Sequence, residues 1–385
     1  MSGPFKRLET QVVHAGEPRP RIEGAIEMPI FQSATFEYHG EARYDDVRYL
    51  RLNNTPNQLA LHAKLAALEG AEAALVTASG MAAITTSLLT VLTAGDHMLA
   101  QSCLYGGTHD FVTREFKGLG LAADFIDADR PETWAKQLKP NTRAIYVEAM
   151  TNPLLEVADL TAVVEFARAH KLVSLIDNTF ASPVNFRPVA AGFDLSLHSA
   201  TKYLNGHSDI VAGAVIGRRD LIERIRHKAN HLGGSLDPHA AFLLNRGLKT
   251  LVLRVRYQNE SALKLAQFLE KHPAVTAVHY AGLASHPRHE RARKLFSGFG
   301  GVLSFELKGG ARHADEFASR VRIPAVAPSL GGVHTLLTRP ATTSHAGLAP
   351  EDRKRLGITD GLLRLSVGIE STEDLIEDFT QALQG

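Results

Sequence analysis

Apolar runs of strand length recur through the middle of the chain. They read AALVTAS at 73–79, AIYVEAM at 144–150, LVSLIDN at 172–178 and AVIG at 214–217. Several of these runs are too continuously apolar for a sheet with one face in water. Helical patterns lie between the runs, at 81–92 and 160–170. Alternating strands and helices of this kind predict an α/β fold with a mainly parallel sheet that is covered on both faces.

A different pattern begins after about residue 245. A long charged stretch at 251–272 has helical spacing, and strand-like segments follow at 275–280 and 300–307. Ser371 is placed to cap a closing helix. The first 48 residues contain many Pro, Gly and charged residues and little periodicity, which favours an extended arm that packs on another surface. The predicted division is an arm at 1–48, a large domain at 49–245 and a smaller C-terminal α/β domain at 246–385.

Composition narrows the class of protein. A chain of 385 residues favours two domains, and 44% hydrophobic residues with a net charge of +1 are typical of a soluble globular protein rather than a polyanion-binding one. We therefore expect no nucleic-acid partner. The single cysteine, Cys103, excludes an internal disulfide and fits a reducing compartment. With neither a signal peptide nor a long uncharged membrane segment in the sequence, we expect a cytoplasmic protein.

Lys202 lies in an unusual setting for a lysine. The string LHSATKYLNGHSD at 197–209 follows an apolar strand and surrounds Lys202 with small hydroxyl and glycine residues. Most lysines are solvated surface residues. Here Ser199 and Thr201 supply hydroxyls that could bind a phosphate, and an amine held among dipoles suits Schiff-base chemistry.

Asp177 ends the strongly apolar strand in SLIDNTF at 174–180. A buried carboxylate needs a cationic or hydrogen-bonding partner. A protonated pyridine nitrogen is one such partner, and the pairing would keep a pyridine cofactor electron-withdrawing. Taken alone, Asp177 could equally be a strand-end residue that caps a turn.

Two further strings add binding features. In VTASGMAAI a strand leads through Ser79 and Gly80 into a helical pattern that begins near Met81, so free backbone amides and the helix dipole could hold a phosphate. In CLYGGTHDF, Tyr105 precedes paired glycines, where its ring could lie flat on a cofactor or pack in the core.

Several other classes find no support. No G-x-G-x-x-G follows a strand and no G-x-x-x-x-G-K-S/T occurs, which argues against dinucleotide enzymes and P-loop NTPases. The histidines, including His198, His207, His286 and His289, lack convincing second ligands at metal spacing. We expect no metal.

Seven motifs occur in order across nearly the whole chain: SGMAA, YGGT, MTNP, DNTF, SATKYLNGHSD, SLGGV and RLSVGIE. Together they resemble the transsulfuration enzymes of cysteine and methionine metabolism, which use pyridoxal 5'-phosphate (PLP). The resemblance implies an aspartate-aminotransferase-like fold (fold type I), with a large PLP domain and a smaller C-terminal domain. It also implies a homotetramer built from two active dimers and a small amino-acid substrate.

The resemblance also implies residue roles. Lys202 would form the Schiff base with PLP and then move protons, Asp177 would pair with the pyridine nitrogen, and Tyr105 would stack on the ring. The remaining assignments are Gly80 and Met81 amides with Ser199 and Thr201 for the phosphate, Asn152 for the ring oxygen, Tyr49 and Arg51 for the phosphate of a neighbouring subunit, and Arg364, Ser329 and His334 for the substrate. Arg364 suits the substrate α-carboxylate because a guanidinium binds carboxylates in a bidentate manner.

Two features bear on the substrate. The segment LNNTPN after Arg51 is one residue longer than its usual form in the family. His334 stands where γ-lyases and γ-synthases usually carry Glu, and an imidazole is a poorer anchor for the distal amino group of cystathionine than a carboxylate. We predict that Glu at this position would improve the use of cystathionine.

The motifs leave a choice of activity. YGGT and SLGGV favour a cystathionine γ-lyase or γ-synthase-like enzyme, which performs α,γ-elimination or γ-replacement. Cystathionine β-lyase is the second alternative and methionine γ-lyase, which usually has cysteine where Gly107 stands, is the third. A non-catalytic PLP-binding regulatory protein is a further alternative, but the presence of Lys202, Asp177 and Arg364 together argues for an enzyme.

Overall fold

A computed structural model describes residues 5–347 and 349–384. The strands are β1 (Ala73–Thr77), β2 (His97–Gln101), β3 (Ala122–Ile126), β4 (Thr142–Glu148), β5 (Val173–Asp177), β6 (Leu195–Ser199), β7 (Gly213–Gly217), β8 (Val275–His279), β9 (Val302–Leu307), β10 (Ala325–Val326), β11 (Leu336–Thr338) and β12 (Leu362–Ser366). The α-helices are α1 (Leu8–His14), α2 (Pro56–Glu69), α3 (Gly80–Val91), α4 (Gly106–Asp110), α5 (Pro131–Trp134), α6 (Leu160–His170), α7 (Ser182–Asn185), α8 (Pro188–Ala191), α9 (Arg219–Leu232), α10 (Pro238–Leu248), α11 (Leu251–Lys271), α12 (His289–Leu295), α13 (Gly310–Arg320), α14 (Pro350–Arg355) and α15 (Thr372–Leu383).

The first sheet joins seven of these strands in the order β1-β7-β6-β5-β4-β2-β3. Strands β2 to β6 pair in parallel, whereas β7 is antiparallel to both β6 and β1. Strand β1 therefore runs in the same direction as the parallel strands. The predicted mainly parallel sheet of an α/β protein is confirmed.

Both faces of this sheet are buried, as the apolar runs predict. In β4, Ile145 and Val147 belong to the apolar layer that includes α2 and α6, while Ala144 and Tyr146 belong to the opposite layer with α3 and α9. This alternation follows from the two-residue period of a strand. The sheet is consequently held from both sides, and its carboxyl edge is a rigid platform.

The second sheet has the order β10-β11-β12-β9-β8 and is antiparallel except for the β10–β11 pair. Helices α11, α13 and α15 pack on it through residues such as Leu265, Phe317 and Phe379. Helix α11 also contributes Leu251 and Val255 to the core of the first sheet, so one long helix belongs to both cores.

Local sequence explains where the helices of the site begin. Helix α2 starts with a capping box in which the Thr55 N–H donates to Gln58 Oε1 at 3.1 Å, followed by Pro56 in the first turn. Helix α3 is capped by Ser79, whose Oγ accepts the Ala82 N–H at 3.0 Å. The LNNTPN segment at 52–57 begins at the end of a short 3-10 helix (Leu50–Leu52), passes through a left-handed residue, Asn53 (φ 57°), and ends in the first turn of α2.

The N-terminal stretch differs from the expectation of an extended arm without periodicity, because Leu8–His14 forms helix α1. Seven residues are too few for an independently stable helix. Contacts with α2 and α11 supply the stability that the local sequence lacks. None of the helices described is long and apolar enough to cross a membrane.

Candidate active site

The carboxyl ends of the parallel strands open into one cavity of about 840 Å³ between the two sheets. The chain order reverses between β2 and β4, and such a switch point leaves a crevice at the carboxyl edge of an α/β sheet. Most of the residues predicted from the sequence line this cavity: Gly80, Met81, Tyr105, Asn152, Asp177, Ser199, Thr201, Lys202, Ser329 and Arg364.

Lys202 follows β6 and is held in place at both ends. Its backbone N–H donates to Ser199 O at 3.1 Å, and its Nζ donates to Ser329 Oγ at 2.7 Å. Burial, together with the nearby Arg364 guanidinium, lowers the pKa of Lys202 to about 8. The amine is therefore far easier to deprotonate near neutral pH than an ordinary lysine.

Arg364 lies in β12 and is only 4% exposed. Its Nη1 donates to Asn152 Oδ1 at 3.0 Å and its Nη2 donates to Ser329 O at 2.9 Å. Burial lowers the pKa of Arg364 to about 10, so the guanidinium stays charged at neutral pH. The cavity thus contains a fixed cation next to the amine of Lys202.

Ser329 connects these two cations. It accepts from Lys202 through its hydroxyl and from Arg364 through its carbonyl. Its φ of 99° lies in the left-handed half of the backbone map, which is unfavourable for a residue other than glycine. Strain of this kind persists where surrounding contacts impose it, as they often do in active sites.

Two carboxyl groups lie at neighbouring strand ends. Asp177 accepts the Thr179 N–H at 2.9 Å through Oδ1, and burial raises its pKa. Glu148 is 4% exposed and accepts the Tyr105 N–H at 2.6 Å. Burial and the adjacent Asp177 raise the pKa of Glu148 well above its usual value.

The start of α3 approaches Ser199 closely. A Cβ on Gly80 would lie 2.8 Å from Ser199 Cβ, so only glycine permits this approach. The backbone amides of Gly80 and Met81 belong to the first turn, where helix amides have no partner within the helix. Thr201 Oγ1 donates to Ala212 O at 3.2 Å, which fixes its hydroxyl at the cavity wall.

Comparison with known proteins identifies the family. The sequence model described as "Cys/Met metabolism PLP-dependent enzyme" matches residues 9–384. The chain belongs to this family. A cystathionine gamma-lyase of Bacillus subtilis (strain 168) is 41% identical over 379 residues, which cover 98% of this chain and 99% of that protein. A cystathionine beta-lyase of Lactococcus lactis subsp. cremoris (strain MG1363) is 40% identical, with the same coverage.

Comparison with solved structures leads to the same family as comparison of sequences. A cystathionine gamma-lyase from Lactobacillus plantarum, crystallised with L-serine, superposes with a TM-score of 0.93 at 36% identity and covers 98% of this chain and 99% of that one. The predicted fold, the PLP cofactor and the assignment to sulfur amino-acid enzymes are confirmed. The chain is thus a PLP-dependent enzyme of cysteine and methionine metabolism.

The cavity of this Cys/Met metabolism enzyme fits PLP. A desolvated carboxyl, Asp177, requires a cationic or proton-bearing partner, which a pyridine nitrogen provides. The glycine-lined helix start at Gly80 is suited to a phosphate. Lys202 offers an amine of lowered pKa for an aldehyde.

Tyr49, Arg51 and His334 lie outside this cavity. Arg51 donates to Asn230 O at 2.7 Å, and its guanidinium lies 5.5 Å from the centre of the Tyr49 ring. His334 is exposed and lines an adjoining cavity that shares Ser329 and Thr201 with the first. The roles of these three residues stay predictions.

The sequence reasoning missed several cavity residues, namely Glu148, Thr179 and His345. Glu148 did carry a signal, because it ends an apolar strand in AIYVEAM just as Asp177 ends one in SLIDNTF. His345 is 3% exposed, and burial lowers its pKa to about 4, so its ring is neutral. No sequence pattern pointed to it.

Proposed function

We propose that this enzyme cleaves or forms the bond between sulfur and the γ-carbon of cystathionine. The observation that carries the proposal is the shared binding of Lys202 and Arg364 to Ser329, at 2.7 and 2.9 Å. A substrate α-carboxylate bound to Arg364 places its α-carbon beside the Lys202 amine. This is the arrangement that proton removal from an α-amino acid requires.

We propose that Lys202 binds PLP through its amine and that Asp177 pairs with the pyridine nitrogen. Tyr105 would lie on the ring and Asn152 beside the ring oxygen. The phosphate would be held by the amides of Gly80 and Met81 and by the hydroxyls of Ser199 and Thr201. When bound, PLP supplies an electron sink for negative charge at the substrate α-carbon.

Lys202 would move the protons. Because its pKa is about 8, both the neutral and the protonated amine are available near neutral pH. Cleavage at the γ-carbon needs proton transfers at more than one carbon, and a lysine side chain is long and mobile enough to reach neighbouring positions. Ser329 Oγ, which accepts from Nζ, keeps the amine on the substrate side of the cavity.

Gly107 supports cystathionine chemistry over methionine γ-lyase chemistry. A Cβ at this position would lie 2.8 Å from Tyr105 Cε1 and 3.0 Å from Met81 Sδ. The cysteine that is usual in methionine γ-lyases would therefore displace the Tyr105 ring. Cystathionine β-lyase remains the alternative, since a relative of that activity is 40% identical over 378 residues.

Incubation of the purified protein with cystathionine tests the proposal. Cysteine and 2-oxobutyrate indicate γ-cleavage, and formation of cystathionine from cysteine and an activated homoserine indicates γ-replacement. Homocysteine and pyruvate would instead establish β-cleavage, and turnover of methionine alone would establish the third alternative. The Lys202→Ala variant is the control, and it should give none of these products.

We also infer that Tyr49 and Arg51 serve the site of a neighbouring subunit, since neither lines the cavity of its own chain. Large aliphatic residues that are more than half exposed support an assembly, namely Ile26, Val211, Leu232, Leu253 and Val326. A homotetramer, the division into an arm, a large and a small domain, and a cytoplasmic location remain proposals of the same kind. The single cysteine supports the last of these.

A further inference from the structure

Glu148 occupies a position in the cavity that the roles proposed above do not use. It is the last residue of β4, and in the parallel pairing its Cα lies opposite that of Asp177, the last residue of β5. The Glu148 N–H donates to Gln101 Oε1 at 2.9 Å, which ties its backbone to the end of β2. The Glu148 backbone is thus fixed at the carboxyl edge of the sheet, beside Asp177.

Two carboxylates on adjacent strand ends do not both ionise readily. Asp177 has the stronger support for its charge, from the Thr179 backbone and side chain and from His198. At Glu148 a single hydrogen bond, from the Tyr105 N–H, opposes burial and the Asp177 charge. Tyr146 and Cys103 also interact with Glu148, and burial raises the pKa of both, so both stay neutral. Lys202 and Arg364 line the same cavity, but neither forms a hydrogen bond or an ion pair with Glu148 and each is bound to Ser329.

The hydrogen bond from the Tyr105 N–H indicates what the Glu148 carboxyl does. Tyr105 immediately precedes α4, and the residue is 44% exposed, so packing holds it on only part of its surface. The 2.6 Å bond from its N–H to Glu148 Oε1 links the start of α4 to the rigid sheet. The buried Oε1 of Glu148 therefore fixes the backbone of Tyr105, from which the aromatic ring projects.

We propose that Glu148 is a positioning residue, a protonated and neutral carboxyl that accepts the Tyr105 N–H and thereby holds the Tyr105 ring over the cofactor site. The inference rests on the proposed assignment of the Lys202 cavity to PLP. A neutral carboxyl has one carbonyl oxygen that accepts and one hydroxyl that donates. The carboxamide of glutamine also has one accepting oxygen and a donating group. It therefore replaces a neutral carboxyl well, but it cannot replace the charge of an ionised carboxylate.

The test compares Glu148→Gln with Glu148→Ala. Each protein is purified with PLP, and the PLP affinity of the stripped protein, kcat and KM for cystathionine, and the pH profile from 6 to 9 are measured. Glu148→Gln should stay within about twofold of wild type with an unchanged profile, because it keeps the acceptor and the charge state. Glu148→Ala should bind PLP about tenfold more weakly, because the Tyr105 N–H loses its buried partner. Equal losses in both variants, or no loss in Glu148→Ala, would overturn the proposal.

Infrared difference spectroscopy supplies a readout that does not depend on folding of the alanine variant. The wild-type holoenzyme minus Glu148→Gln should show the carbonyl band of a protonated carboxylic acid, and a carboxylate band in its place would refute the neutral state. The proposed function can fail separately. A wild-type protein that binds PLP and shows the band but turns over no cystathionine would leave Glu148 as argued and would refute only the substrate.

Discussion

Lys202 offers the most direct residue-scale prediction. Its folded pKa of about 8 lies below the usual lysine value, so the neutral amine predominates above pH 8 and the protonated amine below it. The rate at which PLP-free protein takes up PLP should therefore rise about tenfold per pH unit below pH 8 and level off above pH 9, because only the neutral amine is nucleophilic. Stopped-flow absorbance measures this rate. A rate that keeps rising beyond pH 10 would mean an unshifted lysine.

Gly80 gives a steric prediction. The variant Gly80→Ala places a Cβ 2.8 Å from Ser199 Cβ and 2.9 Å from Ser199 Cα, so the start of α3 must move away from β6. The PLP affinity should fall at least tenfold, since the phosphate site depends on that approach. Titration of the stripped protein measures the affinity. Gly118→Ala is the matched control, because the nearest heavy atom to its new Cβ lies at 3.5 Å, and it should bind PLP as wild type does.

The sequence predicted a site residue wherever its neighbours along the chain indicate its role. Lys202 and Gly80 follow apolar strands and Asp177 ends one, and hydroxyl residues lie close to each of them in the sequence. Glu148 depends instead on register, because its chemistry arises from lying opposite Asp177 in the β4–β5 pair. Ser329 likewise joins Lys202 and Arg364 across the two sheets, a contact that no local pattern contains.

At the scale of the element, strands that are continuous apolar runs were predictable, whereas strand β2, which is equally buried but begins and ends with polar residues, was not. Strands β1, β4, β5 and β7 are apolar runs, and each was predicted to within two residues at either end. Strand β2 begins with His97, whose fully buried ring shares a 2.8 Å hydrogen bond with Thr142 Oγ1 of the neighbouring strand. Thr142 satisfies Nδ1 of the ring, and Asp124 Oδ2 lies 3.4 Å from Nε2. Both neighbours become visible only once the strands are paired.

Helix α1 shows how a short element depends on one buried ion pair. Lys64 in α2 donates to Val12 O at 2.9 Å and to Glu17 Oε1 at 3.1 Å, and its side chain is 1% exposed. Lys64→Ala leaves the Glu17 carboxylate buried with a weaker partner, so the free energy of unfolding should fall by about 3 kcal/mol. Denaturant unfolding measures the change.

Lys264→Ala is the control for this prediction. Lys264 lies on the surface, with a side chain 58% exposed and a 3.7 Å pair with Glu373. Its removal should change the unfolding free energy by no more than about 0.5 kcal/mol. Equal effects of the two substitutions would show that the Lys64 pair does not anchor α1.

At the scale of the whole molecule, helix α11 fixes the position of the first sheet relative to the second. Leu251 and Val255 pack in the core of the first sheet, and Leu265 and Leu269 pack in the core of the second. A continuous helix shared by two cores holds them in a fixed relation. Arg364, which belongs to the second sheet, is thereby held beside Lys202 of the first.

The assembly gives the final prediction. If Arg51 serves a neighbouring subunit, Arg51→Ala and Lys202→Ala should each be inactive alone but complement one another when mixed. In a hybrid dimer, the site that keeps Lys202 receives Arg51 from the Lys202→Ala subunit and is complete. Random re-association makes half of the dimers hybrids with one complete site of two, so activity should recover to about a quarter of wild type.

Subunit exchange in mild denaturant followed by the cystathionine assay measures this recovery. A mixture of Lys202→Ala with Arg364→Ala is the control for two residues that serve the site of their own chain, because Arg364 and Lys202 line the same cavity of one chain. In its hybrid dimers one site lacks Lys202 and the other lacks Arg364, so no site is complete and no activity should return. The double variant Lys202→Ala/Arg51→Ala mixed with Arg51→Ala is a second control, in which no site gains Arg51 and no activity should return. No recovery in the mixture of Arg51→Ala with Lys202→Ala would contradict an interface role for Arg51, whereas recovery there beside two inactive controls would place Arg51 in the neighbour's site.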